Sequence, residues 1–433
     1  MKSTSNYKEK DHFLGTTTTF LLIFCITCVA LITYTNNMPF QPSKHNSTQR
    51  GKNPIKFLSK KILYPIFPTT YIAHFLHMSF AEIETCDLFK GRWIPDADGP
   101  LYTNYSCTTI PTLKNCFLHG RKDADFLHWR WKPDKCELPR FSAQIFLRIL
   151  RGKKMAFIGD SLARNQMESL LCLLSTEETP KLIERDADNR FTIWEFPKHN
   201  FTLTVYWSAF LVTATEIVIN GTGTGNFDLH LDTPDPKWSE KLPSIDYAIF
   251  NSGQWHLRGN YLHEGGNVVG CVYCHDPNIT NFGPGLALRR SFRAAFKAIN
   301  DCKKCNKIVT FLRTFSPSHF EHGEWNTGGR CNRTRLIELD EVDRARPDWE
   351  YRNIQVKEAE AARSVGKERG NEFGVIDVTE MMLTRVDGHP GAYWIDNWTT
   401  GYKDCVHWCM PGPVDTWNEL LLEMVKRQNK ISS

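Results

Sequence analysis

The apolar positions of the chain fall into two regimes. Residues 14–34 carry no charge and centre on "FLLIFCITCVALI" at 20–32, long enough for a membrane-spanning helix, although the threonines at 16–19 weaken it. After residue 141 the pattern changes to short apolar runs separated by stretches of helical period. "MAFI" (155–158), "YAIF" (247–250), "KIVTFL" (307–312) and "GVIDV" (374–378) predict buried strands, while 162–174, 286–299, 354–368 and 415–426 predict amphipathic helices. "FTIWEFPKHNFTLTVYW" (191–207) alternates apolar and polar residues and predicts an inserted hairpin. Strands alternating with helices predict an α/β domain with a mainly parallel sheet, whose site would lie beyond the carboxyl ends of the strands.

Between these regimes the punctuation differs. Residues 35–84, with scattered Pro, Lys and Thr and no sustained period, predict a stem, and 85–140, with four cysteines and turn signals such as "DADGP" and "KPDK", predict a small disulfide-stapled subdomain. Lys2, Lys8 and Lys10 precede the apolar segment, and the next Lys or Arg is Lys44. No A-x-A cleavage site follows, so the expectation is an uncleaved signal anchor with a cytosolic tail at 1–13 and a luminal body; a removed signal peptide is the alternative. The anticipated order is tail, anchor (14–34), stem (35–84), cysteine-rich subdomain (85–140) and catalytic domain (141–433).

The chain has 433 residues, of which 41% are hydrophobic and 12% aromatic, ample for a sizeable core; its net charge of +5 is spread out, so no nucleic-acid footprint is present. Twelve cysteines follow the apolar segment: Cys86, Cys107, Cys116, Cys136, Cys172, Cys271, Cys274, Cys302, Cys305, Cys331, Cys405 and Cys409. Their even number in an oxidising compartment predicts disulfides. "CVYC" (271–274) and "CKKC" (302–305) admit a zinc site as the rival, but their separation is long for one. Seven N-x-S/T acceptors, at Asn46, Asn104, Asn200, Asn220, Asn278, Asn332 and Asn397, agree with a luminal body.

The candidate chemistry begins at "MAFIGDSLARNQ" (155–166), where an apolar run stops at Gly-Asp-Ser before a helix. A serine on a strand-to-helix turn can be a nucleophile whose oxyanion faces the first helical N–H groups, or Asp160 or Ser161 can simply cap that helix. A base and its orienting acid are available in "DCVHWCMPGPVDTWNELL", where Asp404 and His407 lie three residues apart, Asp404 just before Cys405 and His407 between Cys405 and Cys409. Asp125 with His128 has the same spacing, and His256 and His389 are further candidate bases. Gly253, after "YAIF", is a candidate oxyanion donor. Trp129 and Trp131, interleaved with Arg130 and Lys132, could stack sugars or belong to the core.

"GDS" early and "DxxH" late is the order seen in SGNH/GDSL-type hydrolases and transferases. "CDLFKGRWIPDADGPLYTNYSC", "NCFLHGRKDADFLHWRWKPDKCELPRF", "FIGDSLARNQ" and "DCVHWCMPGPVDTWNELL" together resemble the plant trichome birefringence-like family of Golgi polysaccharide O-acetyltransferases, from about Cys86 to the C-terminal helix. The resemblance implies an SGNH/GDSL-like three-layer α/β/α domain, Ser161 as nucleophile, His407 as base, Asp404 as its partner, and an acetyl-serine resolved by a sugar hydroxyl. It implies no bound cofactor and no metal, but an acetyl donor, acetyl-CoA or another carrier, and it gives Arg164 and Asn165 of the "GDSxxRNQ" block a site-shaping role. It also implies a cysteine pair across the two subdomains, tying Cys116 to Cys409. "YLHEGGNVVGCVYC" (261–274) and "GEWNTGGRCNRT" (323–334) resemble the xyloglucan and mannan branch, with xyloglucan preferred; the "CKKC" pair departs from it. An acetyl esterase and a non-catalytic wall-glycan binding protein are the rival readings.

Overall fold

The computed structural model describes residues 86–274, 276–394 and 403–431, so the expected tail, anchor and stem lie outside it. No helix among the described residues is long and apolar enough to cross a membrane.

Strands β1 (Gly91–Pro95) and β2 (Trp129–Pro133) form an antiparallel ribbon closed by the Cys86–Cys136 disulfide. Helix α1 (Ala143–Ile149), capped by the Ser142 hydroxyl, leads into β3 (Lys154–Gly159) and α2 (Ser161–Leu174). A hairpin extension follows, β4 (Lys181–Arg185), β5 (Phe191–Phe196) and β6 (Phe201–Trp207). The chain continues through β7 (Val212–Ile219), β8 (Thr222–Pro234), α3 (Pro236–Ser239), β9 (Tyr247–Asn251), β10 (Asn260–Glu264) and β11 (Asn267–Val272). It ends with α4 (Pro284–Asp301), β12 (Val309–Arg313), α5 (Asp348–Glu368), β13 (Glu372–Ile376), α6 (Thr379–Leu383) and α7 (Asp415–Ile431).

The central sheet has the order β13-β12-β9-β3-β6-β5-β4. Its first five strands are parallel, and β5 and β4 add an antiparallel edge. β3 is apolar without a break because both faces are covered: Met155 and Phe157 enter a core with α1, α2 and α7, while Ala156 and Ile158 enter a second core with α4 and α5. The expected α/β/α layering is therefore present, and the predicted strands and helices lie where the apolar periodicity puts them.

A second sheet, β11-β10-β8-β7, was not expected. Asn220 and Gly221 both have positive φ (51° and 78°) and make the tight turn between β7 and β8, a hairpin signal in the sequence. The Thr- and Gly-rich strands around it hide the apolar alternation, which is confined to one face where Leu229 and Leu231 pack with Leu262 and Ala287 of α4.

All twelve cysteines after the apolar segment are paired: Cys86–Cys136, Cys107–Cys172, Cys116–Cys409, Cys271–Cys274, Cys302–Cys305 and Cys331–Cys405. Each CxxC closes on itself, and among the described residues no group of His, Cys, Asp or Glu is arranged as metal ligands. The acceptors at Asn200, Asn220, Asn278 and Asn332 are exposed and Asn104 is partly so; Asn46 and Asn397 lie outside the described residues. Trp131 is core rather than sugar platform: it is buried, packs edge-on against Trp93 at 5.5 Å, and donates its indole N–H to the Leu88 carbonyl.

Candidate active site

The carboxyl end of β3 delivers the serine. Asp160 is the residue that caps α2, its Oδ1 accepting the Leu162 N–H at 3.0 Å. Ser161 is thereby released from capping and stands at the first helical position, on the wall of a cavity of about 780 Å³. Gly159 makes this turn possible: at φ 154° its Cα faces the Asn251 backbone, and a Cβ there would lie 1.7 Å from the Asn251 carbonyl oxygen.

His407 lines the same cavity, from a loop in front of α7. Its Nδ1 lies 2.7 Å from Asp404 Oδ2, while Asp404 Oδ1 accepts the Val406 and His407 N–H groups at 3.0 Å each. Burial by itself raises the Asp404 carboxyl, but the His407 charge, its ring N–H and the two backbone donors outweigh it and hold the pKa below the ordinary value. Trp394 lies parallel to the His407 ring at 5.7 Å. With Nδ1 committed to Asp404, Nε2 is the nitrogen left to exchange protons in the cavity.

The loop bearing this pair is held from several sides. The Cys331–Cys405 and Cys116–Cys409 disulfides flank His407. Arg121 of the small subdomain donates to the Asp387 and His389 carbonyls, and its guanidinium lies 3.7 Å from the centre of the Phe126 ring. Beneath the loop, His389 Nδ1 lies 2.7 Å from the His407 carbonyl and its Nε2 lies 2.7 Å from His319 Nδ1. Burial lowers the His389 pKa to about 4. His389 thus supports the His407 backbone and does not line the cavity.

The other sequence candidates separate by place. Asn165 is fully buried and bonds both backbone groups of Trp408, next to His407. Arg164 leaves the cavity: its Nη1 donates to the Asn189 carbonyl and its guanidinium lies 5.3 Å from the Trp207 ring. Gly253 directs its N–H toward the buried Asp160 carboxyl, whose pKa burial raises against the opposing charges of Arg313 and His407. His256 is buried behind the site, 3.2 Å from Ser291 Oγ, with its pKa lowered to about 3 by burial. His128 faces the Asp96 carbonyl, and neither it nor Asp125 lines the cavity.

Sequence reasoning missed three features. Asn251 at the end of β9 is buried, with neither side-chain polar atom paired, and it stands opposite Gly159 in the strand register. Its carboxamide is buried without partners beside the Ser161 turn; the "NSG" after "YAIF" was the available signal. Second, the cavity wall is aromatic, with Trp255, Tyr273, Phe315, Trp325 and Tyr351. Third, Arg258 sits between Trp255 and Trp325, 4.2 Å and 5.0 Å from their ring centres. These residues come from several segments distant in sequence, including α5, so no single spacing marks them.

Comparison with known proteins gives two family matches. Residues 138–424 match the GDSL/SGNH-like acyl-esterase family found in Pmr5 and Cas1p, and residues 84–137 match the PMR5 N-terminal domain. The chain is similar to Xyloglucan O-acetyltransferase 4 of Populus trichocarpa, 54% identical over 377 residues that cover 86% of this chain and 90% of the other. It is 49% identical to xyloglucan O-acetyltransferase 2 of Arabidopsis thaliana over 79% of this chain and 83% of that protein. It is 43% identical to Protein trichome birefringence-like 20 of Arabidopsis thaliana over 79% and 72%.

Proposed function

The chain belongs to the GDSL/SGNH-like acyl-esterase family found in Pmr5 and Cas1p, and on that premise we propose that it is a polysaccharide O-acetyltransferase acting on xyloglucan. The observation that carries the chemistry is the opening of Ser161 and the Asp404-bound His407 into one aromatic-lined cavity. The substrate rests on the names of the relatives.

In this reading Ser161 Oγ attacks the acetyl carbonyl of the donor while His407 Nε2 takes its proton; the bond to the carrier breaks and the proton passes to the leaving group. An acceptor hydroxyl then gives its proton to Nε2 as its oxygen attacks the acetyl-serine, and Ser161 departs with that proton. The Ser161 N–H in the first turn of α2 and the Asn251 carboxamide serve the oxyanion in both steps. The aromatic walls accept the apolar faces of sugar rings. The charge-free segment at 14–34, preceded by three lysines, supports a type II anchor with the catalytic body in the lumen; the Golgi is the compartment that the family resemblance implies.

The test is to incubate the full-length chain with an acetyl donor and separate xyloglucan, mannan and xylan oligosaccharides, with Ser161→Ala beside it, and to weigh the products by mass spectrometry. Gain of acetyl mass on xyloglucan, absent in the variant, is the expected result. Loss of acetyl from acetylated glycan without any gain on plain glycan would make the protein an esterase and overturn the proposal.

A further inference from the structure

A second cavity, of about 620 Å³, opens where the β4–β6 extension carries the central sheet past its helical cover and α3 forms the far wall. Its floor is aromatic: Phe191 and Tyr206 pair in register with their rings 5.4 Å apart, and Trp207 ends β6 beside them. Its rim carries three carboxylates, Glu184, Asp186 and Asp188, against three cations, Arg190, Lys237 and Lys241.

Trp207 stands between this cavity and the catalytic one. In the β3–β6 register it stands opposite Gly159, two residues before Ser161. Its ring meets the Trp255 ring edge to face at 5.9 Å, and Trp255 lines the catalytic cavity. Arg164, on the first turn of α2, lies over the Trp207 ring and bonds the Asn189 carbonyl of the loop that forms the rim. The nucleophile's own helix therefore positions both the floor and the rim of the second cavity.

From this arrangement we infer that the second cavity is a distal glycan subsite, which holds sugar units of a neutral polysaccharide beyond the unit presented to Ser161. The inference rests on the reading of the chain as a polysaccharide O-acetyltransferase. Flat apolar rings below and polar groups of both kinds at the edge match a pyranose, whose ring faces are apolar and whose hydroxyls both donate and accept. Three charges of each sign cancel, which suits an uncharged polymer and disfavours a polyanion or a phosphorylated carrier. Adjacency to the catalytic cavity, with Trp207 of one wall packed against Trp255 of the other, favours a substrate that occupies both over a separate partner protein or a second copy of the chain.

The experiment compares the full-length wild type with Phe191→Ala, Trp207→Ala and the double variant Lys237→Glu/Lys241→Glu, using a ladder of xyloglucan oligosaccharides up to the polymer. For the wild type KM should fall as the acceptor lengthens. In the aromatic variants KM for the longest acceptors should rise about tenfold, the scale of a lost ring stack, so that the advantage of length disappears. Thermal unfolding reports whether each variant folds; the exposed lysine pair supplies a readout if Trp207→Ala does not. An undiminished length advantage in all folded variants would overturn the inference. A wild type that acetylates no glycan would instead count against the proposed function, and titration calorimetry with the xyloglucan polymer then decides the subsite: heat lost in the variants supports it, and equal heats refute it. A change in oligomeric state of the variants, seen by size-exclusion chromatography with glycan binding intact, would assign the face to contact between copies and refute it as well.

Discussion

Asn165 grips the backbone of Trp408 at both polar groups, its Oδ1 accepting the Trp408 N–H at 2.8 Å and its Nδ2 donating to the Trp408 carbonyl at 3.4 Å. One helical turn after Ser161, this side chain fixes the residue that follows His407, and Ser161 and His407 line one cavity although 246 positions separate them in the sequence.

Replacing Asn165 by Ala leaves two buried backbone groups unpaired. The expected cost is about 1–3 kcal/mol of stability together with a fall in kcat and little change in KM, because the base is displaced while the aromatic walls remain. Thermal unfolding and steady-state kinetics on the same preparation check it. A stability loss with kcat intact would reduce Asn165 to a packing role.

Asp404→Asn keeps the shape of the loop but removes the charge that orients and stabilises the His407 ring. A drop in kcat of about ten-thousandfold is expected, measured as acetyl transfer to xyloglucan oligosaccharides. The wild-type carboxyl has a depressed folded pKa, so its contribution to stability is fully present above the ordinary value near 3.8 and is lost as the pH falls through the lower folded value. Acid unfolding of the variant should lack that component.

The Cys116–Cys409 bond spans 293 residues and ties the small subdomain to the loop of His407. Cys116→Ala/Cys409→Ala should lose about 2–4 kcal/mol of stability and most of the activity, while circular dichroism at low temperature stays unchanged. Activity that survives the double substitution would show that Arg121 and the Cys331–Cys405 bond suffice to hold the loop.

Glu419 faces a small cavity below the Arg140 side chain; burial pushes its pKa up to about 7, against the Phe141 N–H and Arg140, which lower it. Because the folded state holds this proton more tightly than the unfolded chain, stability from this group falls as the pH rises from about 4.5 to about 7. Glu419 keeps some contact with water, so the effect is ~1 kcal/mol rather than the full shift. Glu419→Gln should unfold at a higher temperature than the wild type above pH 7 and at the same temperature near pH 4. Parallel melting curves across that range would contradict this.

The layered α/β/α fold was legible because both of its signals are local. A run such as "MAFI" is apolar at every position only when both faces of a strand are covered, and the helices at 161–174 and 415–431 repeat their apolar residues at the spacing of one face. "GDS" on a strand-to-helix turn and "DxxH" interleaved with two cysteines were readable for the same reason: each is held within a few residues. The β7–β8 hairpin was missed because its apolar positions cover one face of polar strands, although Asn220-Gly221 marked its turn.

What the sequence by itself determined is thus the alternation of strands and helices in the central sheet, the supply of cysteines, and the two short motifs that bear Ser161, Asp404 and His407. Only the tertiary structure decided which cysteines pair, that Asp160 rather than Ser161 caps the helix, that Asn165 serves Trp408 while Arg164 turns to Trp207, and that Asn251 stands unpaired beside Gly159. The reason is physical: helical and strand periods are fixed by neighbours along the chain, whereas a buried amide, a disulfide or an aromatic wall is specified by groups hundreds of residues away, which come together only when the two cores close on the sheet.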